Sequence, residues 1–157
     1  MRQLILLRHA HAESATSGQD DLERPLSETG RAEARAAGDW LREHGLQPDR
    51  VLSSSAARTR ETLAALGDIG GAEVHEDASI YEASPGTLVA LADANRDAER
   101  LLLVGHNPGL EQLAALMHSG LTGDYRGMPP GGIAVLTLPV DANIEPGIAT
   151  LSAFWWP

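Results

Sequence analysis

The chain has 157 residues, of which 43% are hydrophobic and 22% are charged. This size and composition fit one domain with a buried core and exclude a chain that is disordered throughout. The formal net charge is −10, so nucleic acids and anionic membranes are repelled at long range and are not expected as partners. The chain contains no cysteine, which excludes disulfides, thiolate metal sites and cysteine nucleophiles.

The first apolar run, Leu4–Leu7, ends at Arg8 and His9. A secretory signal has a longer apolar stretch and a small-residue cleavage site, and a membrane span needs about 20 apolar residues. We therefore expect a cytoplasmic protein. A short continuous apolar run is typical of a strand that is buried on both faces of a parallel sheet.

Further strands and helices alternate along the rest of the chain. Apolar runs indicate strands at residues 101–104 and 133–138, and weaker signals indicate strands at residues 51–52, 73–75 and 148–154. Amphipathic patterns predict helices at residues 27–44, 56–66, from 85 onward and 109–119. This alternation predicts an α/β fold, with a mostly parallel sheet between two layers of helices. No linker divides the chain, so residues 1–157 are expected to form a single domain.

Basic residues follow three of the predicted strands. Arg8 and His9 follow the first, Arg58 comes shortly after the second, and His106 follows the strand at residues 101–104. Open α/β sheets bind their ligands at the carboxyl ends of the strands, so these side chains are expected to converge. Guanidinium groups match phosphate oxygens, and a neutral imidazole is a competent nucleophile. The pattern therefore predicts a site for phosphoryl transfer.

Five segments, taken in chain order, resemble a known family. Leu7-Arg8-His9-Ala10 and the run Ser54–Thr62 resemble signatures of the histidine phosphatase superfamily. The runs Asp21–Arg31, Ile80–Ala83 and Val104–Gly109 are similar to segments of its small branch, the SixA-type phosphohistidine phosphatases. The resemblance extends over nearly the whole chain.

The resemblance implies a phosphoglycerate mutase-like αβα sandwich without a large cap insertion. It implies that His9 is the nucleophile and that Arg8, Arg58 and His106 hold the phosphoryl oxygens. Glu82 would protonate the leaving group and then help to activate water. No cofactor and no metal is implied, and inorganic phosphate would be the product.

Simpler interpretations remain open for several of these residues. Arg58 can pair with Glu61 or Glu28 instead of binding phosphate. Glu82 is equally well explained as a solvated loop carboxylate. Arg24 is a candidate substrate-binding residue, although a structural ion pair explains it equally well.

The positions of other polar and aromatic residues indicate where their side chains lie. His11 is a candidate substrate-binding residue at the rim of the site. Arg60 is expected to point away from it, and the acidic run Asp20–Glu23 is expected to be a solvated loop. Trp155 and Trp156 are expected to anchor the C-terminus against the core, because aromatic area is scarce at 4% of the residues.

The segment between Glu82 and Val104 is long enough for one helix and little more, so we expect an uncovered site. Such a site suits a phosphohistidine displayed on a protein surface. A phosphatase for small phosphate esters and a non-catalytic phosphate-binding module are the alternatives. The module is disfavoured because it would be expected to have lost at least one of the four residues Arg8, His9, Arg58 and His106, and all four are present. No heptad pattern or large apolar stripe indicates an oligomer, so we expect a monomer.

Overall fold

The computed structural model describes the whole chain, from Met1 to Pro157. The strands are β1 (Gln3–Arg8), β2 (Arg50–Ser53), β3 (Glu73–Glu76), β4 (Arg100–Gly105), β5 (Ile133–Thr137) and β6 (Thr150–Trp155). The helices are α1 (Glu28–Glu43), α2 (Ala57–Ala65), α3 (Pro85–Ala94) and α4 (Gly109–Ser119). Two 3-10 turns, Asp21–Glu23 and Ala78–Ile80, complete the regular structure.

The strands form one sheet in the order β3-β2-β4-β1-β5-β6. β1, β2, β3 and β4 are parallel to one another, as the apolar runs predicted. The mostly parallel sheet is thus confirmed, with one departure: β5 is antiparallel to β1, and Ile133 lies opposite Leu7. The reason is the connection: α4 leads away from the carboxyl ends of the parallel strands, and residues 120–132 return to that edge before β5 begins, where Gly132 accepts a hydrogen bond from the amide of Arg8.

Helices cover both faces of the sheet, which confirms the predicted three-layer αβα sandwich. Leu4 and Leu6 pack in one core with apolar residues of α3 and α4, whereas Ile5 and Leu7 pack in a second core with α1 and the end of α2. Successive strand residues point to opposite faces, so a strand covered on both sides needs apolar residues at every position. This explains the continuous apolar run.

The ends of the helices follow from local side-chain chemistry. Ser27 caps α1 by accepting a hydrogen bond from the amide of Gly30, and Ser84 caps α3 by accepting one from Thr87. Gly45 follows α1 with a positive φ of 64°, which glycine adopts without strain. The connection between β3 and β4 contains only a 3-10 turn and α3, in agreement with the expected lack of a large insertion.

The two C-terminal tryptophans behave differently. Trp155 stacks on Trp40 of α1 with ring centroids 5.6 Å apart, as expected of an anchor. Trp156 is 55% exposed, so the same prediction was wrong for it; it lies one residue beyond the end of β6, where no strand pairing holds it. None of the helices has the length and apolar composition needed to cross a bilayer. The cytoplasmic location stays a prediction.

Candidate active site

A cavity of about 630 Å³ opens at the carboxyl ends of β1 and β4, next to the start of α4. Its walls contain six of the seven residues that the sequence singled out for the site: Arg8, His9, Arg24, Arg58, Glu82 and His106. They come from five separate segments of the chain. The parallel sheet brings these segments together, because β1, β2 and β4 all end at this edge.

His9 lies directly after β1, and its backbone amide donates a 3.0 Å hydrogen bond to Gly105 at the end of β4. Its ring atom Nδ1 lies 2.7 Å from the carbonyl oxygen of Ala10. A carbonyl oxygen only accepts hydrogen bonds, so Nδ1 carries the proton and Nε2 keeps a free lone pair. Burial, together with the charges of Arg58 and Arg8 and against the Ala10 hydrogen bond, lowers the pKa of His9 to about 4. The imidazole is therefore neutral at pH 7.

His106 follows β4, and its ring centroid lies 5.3 Å from that of His9. Nε2 of His106 is 2.8 Å from the hydroxyl of Ser54, and this hydroxyl accepts a 3.3 Å hydrogen bond from the amide of Ala56. Nε2 is the one acceptor within hydrogen-bond distance of the Ser54 hydroxyl proton, and donation of that proton to Nε2 corresponds to the tautomer with the ring proton on Nδ1. Burial, with smaller contributions from His9 and Arg58, lowers the pKa of His106 to about 3.

Three buried nitrogen atoms around the cavity have no hydrogen-bond partner: Nε of Arg8, Nε of Arg58 and Nδ1 of His106. Buried polar groups in folded proteins are almost always paired, so unpaired donors at a cavity indicate where a ligand supplies acceptors. Burial lowers the pKa of Arg8, but a guanidinium keeps its charge near neutral pH. Two guanidiniums and an N–H donor around one cavity are suited to a tetrahedral oxyanion.

Asp21 is a cavity residue that sequence reasoning missed. Its backbone oxygen and its Oδ2 atom accept hydrogen bonds from Arg58, at 2.8 and 3.0 Å, and Oδ2 also accepts one from the hydroxyl of Tyr81. Oδ1 accepts a 3.0 Å hydrogen bond from Arg24. These hydrogen bonds, with that from Tyr81 the largest contribution, hold the pKa of Asp21 well below its usual range. The expectation that this acidic run is a solvated loop was therefore wrong for Asp21.

The same network changes two other interpretations. Arg58 pairs neither with Glu61 nor with Glu28, because Glu61 instead accepts the amide of Leu26 and lies 3.6 Å from Arg31. Arg24 forms the structural ion pair that was one of its two interpretations, and it also lines the cavity. Arg58 and Asp21 are 37 positions apart in the chain. An ion pair between residues this far apart leaves no local signal in a sequence.

The remaining candidates are placed as follows. Glu82 is exposed at the wall of the cavity, and its backbone is left-handed with φ of 57°. His11 is not part of the cavity wall, and its Nδ1 lies 2.7 Å from the hydroxyl of Ser27. Arg60 points away from the cavity, as expected, and lies 3.8 Å from Glu76. No group of three or more His, Asp or Glu side chains is arranged to hold a metal ion.

Comparison with known proteins agrees with this geometry. The sequence model of the histidine phosphatase superfamily (branch 1) matches residues 4–119. The chain belongs to this superfamily. An uncharacterized protein of Mycobacterium tuberculosis (strain H37Rv) is 38% identical over 94% of this chain and 98% of its own length.

Two more relatives belong to the small branch that the sequence resembled. The phosphohistidine phosphatase SixA of Escherichia coli (strain K12) is 30% identical over 90% of this chain and 88% of its own length. The crystal structure of the SixA-type protein of Agrobacterium tumefaciens superposes with a TM-score of 0.84 at 33% identity, over 99% of this chain and 98% of that one. The histidine phosphatase fold predicted from the sequence is thus confirmed.

Proposed function

We propose that this protein is a phosphatase that transfers a phosphoryl group to His9 and then hydrolyses it, and that its substrate is a phosphohistidine on a protein. The observation that carries the proposal is the state of His9. Its Nδ1 is committed to the Ala10 carbonyl, its Nε2 is free, and its pKa of about 4 keeps it neutral at pH 7. A neutral imidazole with one nitrogen fixed as a donor is an activated nucleophile.

In the first step, Nε2 of His9 attacks phosphorus while the bond from phosphorus to the leaving group breaks. The attack makes a phosphorus–nitrogen bond on His9, and the leaving group departs with the bonding electron pair. Glu82 supplies a proton to an alkoxide leaving group, whereas a phosphohistidine that is protonated on its other ring nitrogen leaves as neutral imidazole. Nε of Arg8 and of Arg58 and Nδ1 of His106 are unpaired donors that can bind the phosphoryl oxygens as this charge redistributes. Electrostatic positioning of this kind supplies most of the catalysis in phosphoryl transfer.

In the second step, water attacks the phosphorus of phospho-His9 and the bond to Nε2 breaks. The electron pair returns to Nε2, the proton of the water passes to solvent or to Glu82, and inorganic phosphate is released. Glu82 lines the cavity wall and is exposed, so it can exchange protons with solvent between steps. An ester needs this acid in the first step more than a phosphohistidine does, because imidazole is a better leaving group than an alkoxide.

The form of the cavity favours a phosphate presented by a protein. Only α3 and a 3-10 turn lie between β3 and β4, so this connection adds no domain over the cavity. The relatives from Escherichia coli and Agrobacterium tumefaciens, which are named as phosphohistidine phosphatases of the SixA type, support the same substrate class.

A phosphatase for small phosphate esters is the second candidate function. Glu82 favours it, because a carboxyl group at the cavity wall can protonate an alkoxide leaving group. A panel that compares phosphohistidine carrier proteins with common phosphate esters, read as kcat/KM, separates the two functions. We expect the highest kcat/KM for phosphohistidine.

The His9→Ala variant tests the nucleophile in the same assays. We expect it to lose turnover and to keep binding inorganic phosphate through Arg8, Arg58 and His106. Substantial residual turnover would contradict the covalent mechanism. Phosphate binding by the unmodified protein without turnover of any substrate would instead support the non-catalytic module.

A further inference from the structure

A carboxylate is an unexpected wall residue in a cavity that is built to hold an anion. Asp21 lies there with its side chain 47% exposed, while its partner Arg58 is only 7% exposed. Its three partners, Arg58, Arg24 and Tyr81, fix the carboxylate from three directions. This degree of constraint indicates that the position of Asp21 matters to the site.

The hydrogen bonds of Arg58 show which part of its guanidinium is occupied. Both terminal nitrogens donate to Asp21, Nη1 to the backbone oxygen at 2.8 Å and Nη2 to Oδ2 at 3.0 Å. The end of the planar fork therefore faces Asp21. Nε, on the side edge of the fork, is buried and has no partner. One hydrogen of Nη2 is also left on that edge, so the side edge presents two parallel donors, the geometry that binds oxyanions in a bidentate manner.

We propose that Asp21 is a positioning residue of the phosphate site: it binds the end of the Arg58 guanidinium so that the side edge is presented to the phosphoryl oxygens. Tyr81 donates to the carboxylate and thereby fixes the rotamer of Asp21. The inference rests on the proposed function in one respect, namely that the bound anion is the phosphoryl group of the substrate.

Two physical effects of Asp21 on phosphate binding have opposite signs. Its negative charge repels an anion, so removing the charge strengthens binding if repulsion is the only effect. Asp21 also orders the long, flexible side chain of Arg58 before phosphate binds, which reduces the conformational entropy that binding costs. Removing this contact therefore weakens binding if positioning dominates. The direction of the change therefore distinguishes the proposal from simple electrostatics.

The test uses Asp21→Asn, with Asp20→Asn as the matched control. Asp20 lies next to Asp21 and accepts a 3.2 Å hydrogen bond from the amide of Leu22, but it contacts no guanidinium. Binding of inorganic phosphate is measured by isothermal titration calorimetry at pH 7, and folding is checked by Tm. We expect Asp21→Asn to raise the Kd of phosphate about tenfold, the size typical for a lost supporting partner. Asp20→Asn should leave the Kd within about twofold.

A double-mutant cycle shows whether the effect acts through Arg58. In an Arg58→Ala background, Asp21→Asn should not weaken phosphate binding further, because no guanidinium is left to position. An equal loss in that background would overturn the proposal, and so would unchanged or tighter binding by Asp21→Asn alone. If Asp21→Asn does not fold, Tyr81→Phe keeps the ring and removes only the hydroxyl; it should raise the Kd in the same direction, and an unchanged Kd would overturn the proposal.

Failure of this inference and failure of the proposed function give different results. Phosphate binding needs no turnover, so a protein that lacks turnover but loses phosphate affinity on Asp21→Asn contradicts the proposed function and supports this inference. An active phosphatase that binds phosphate more tightly after Asp21→Asn contradicts only this inference. In the active enzyme, the same substitution should raise KM for every substrate that carries the phosphoryl group.

Discussion

The imidazole rings of His9 and His106 lie side by side in the cavity, with centroids 5.3 Å apart and planes tilted by 57°. Burial lowers the pKa of both rings, to about 4 for His9 and about 3 for His106. Two imidazolium ions at this separation would repel each other and the two arginines beside them. The neutral state of both rings avoids this repulsion.

The first prediction concerns the pH dependence of activity. Protonation of His9 removes the lone pair of Nε2, so activity should decline only as the pH approaches its pKa of about 4. We expect the acid limb of kcat/KM to lie below about pH 5, whereas an exposed histidine titrates at about pH 6.5. The measurement is kcat/KM as a function of pH, in buffers that do not inhibit the protein and with a substrate that is stable in acid. An acid limb centred near pH 6.5 would contradict the buried, neutral nucleophile.

The second prediction concerns the pH dependence of stability. Between about pH 6.5 and pH 4, the unfolded chain protonates these two histidines and the folded chain does not. Protons therefore favour unfolding, and the free energy of unfolding should decrease as the pH falls through this range. Urea titrations at several pH values measure this decrease in the free energy of unfolding. The decrease should be smaller in His106→Asn, which lacks one of the two buried histidines, than in His44→Asn, which lacks an exposed one. Equal slopes in the two variants would argue against a buried, neutral His106.

The third prediction concerns the tautomer of His106. Ser54→Ala removes the hydroxyl that lies 2.8 Å from Nε2, so the ring proton is no longer directed to Nδ1. We expect kcat/KM to fall about tenfold, as for other supporting hydrogen bonds to active histidines, and ¹⁵N NMR should show a mixture of tautomers. Ser53→Ala is the control: Ser53 is also buried, but its hydroxyl donates to the backbone oxygen of Ser54. A tautomer that is unchanged in Ser54→Ala would contradict this assignment.

The fourth prediction concerns Glu82 as a proton donor. Glu82→Gln keeps the size of the side chain and removes its acid, so hydrolysis of an alkyl phosphate should slow about a hundredfold. Hydrolysis of phosphohistidine should change far less, because its leaving group needs little help. Glu76→Gln is a suitable control, since Glu76 pairs with Arg60 outside the cavity. Equal losses on both substrates would contradict this role of Glu82 in the first step.

The fifth prediction concerns the packing of α1 on the end of α2. A β-carbon on Gly38 would lie 1.9 Å from the backbone oxygen of Leu66, so Gly38→Ala should lower the free energy of unfolding by about 2 kcal/mol or more. In α3, a β-carbon on Gly86 would meet nothing closer than the Ser84 hydroxyl at 3.9 Å. Gly86→Ala should therefore raise the free energy of unfolding, by about 0.5 kcal/mol, because alanine favours the helix. Denaturation of both variants by urea measures the two changes, and a stabilised Gly38→Ala would show that the helices can separate.

The sequence predicted those parts of the molecule that are written in local patterns. The apolar run Leu4–Leu7 and the amphipathic pattern of residues 27–44 are each recognisable within a short stretch, and the structure has the corresponding strand and helix. The rule that ligands bind at the carboxyl ends of parallel strands then predicted that His9 and His106 lie close together.

The parts that were not predicted depend on contacts between distant segments. The direction of β5 depends on the path of residues 120–132, which carries no periodic pattern. Asp21 reads as one more carboxylate in an acidic loop, and only the folded chain shows that it meets Arg58 and Tyr81. An ion pair across the chain has no signature of its own, since any acidic residue could have been the partner.

The antiparallel β5 has a consequence for the order in which the site is completed during synthesis. Arg8 donates a 2.9 Å hydrogen bond to the carbonyl of Met128, a residue that is 120 positions later and precedes β5. Asn107 donates to the same carbonyl at 2.9 Å. Arg8 is therefore held by a carbonyl that is synthesised 120 positions later. The wall of the cavity formed by Arg8 and His9 is complete only after the segment around Met128 has been made and folded onto it.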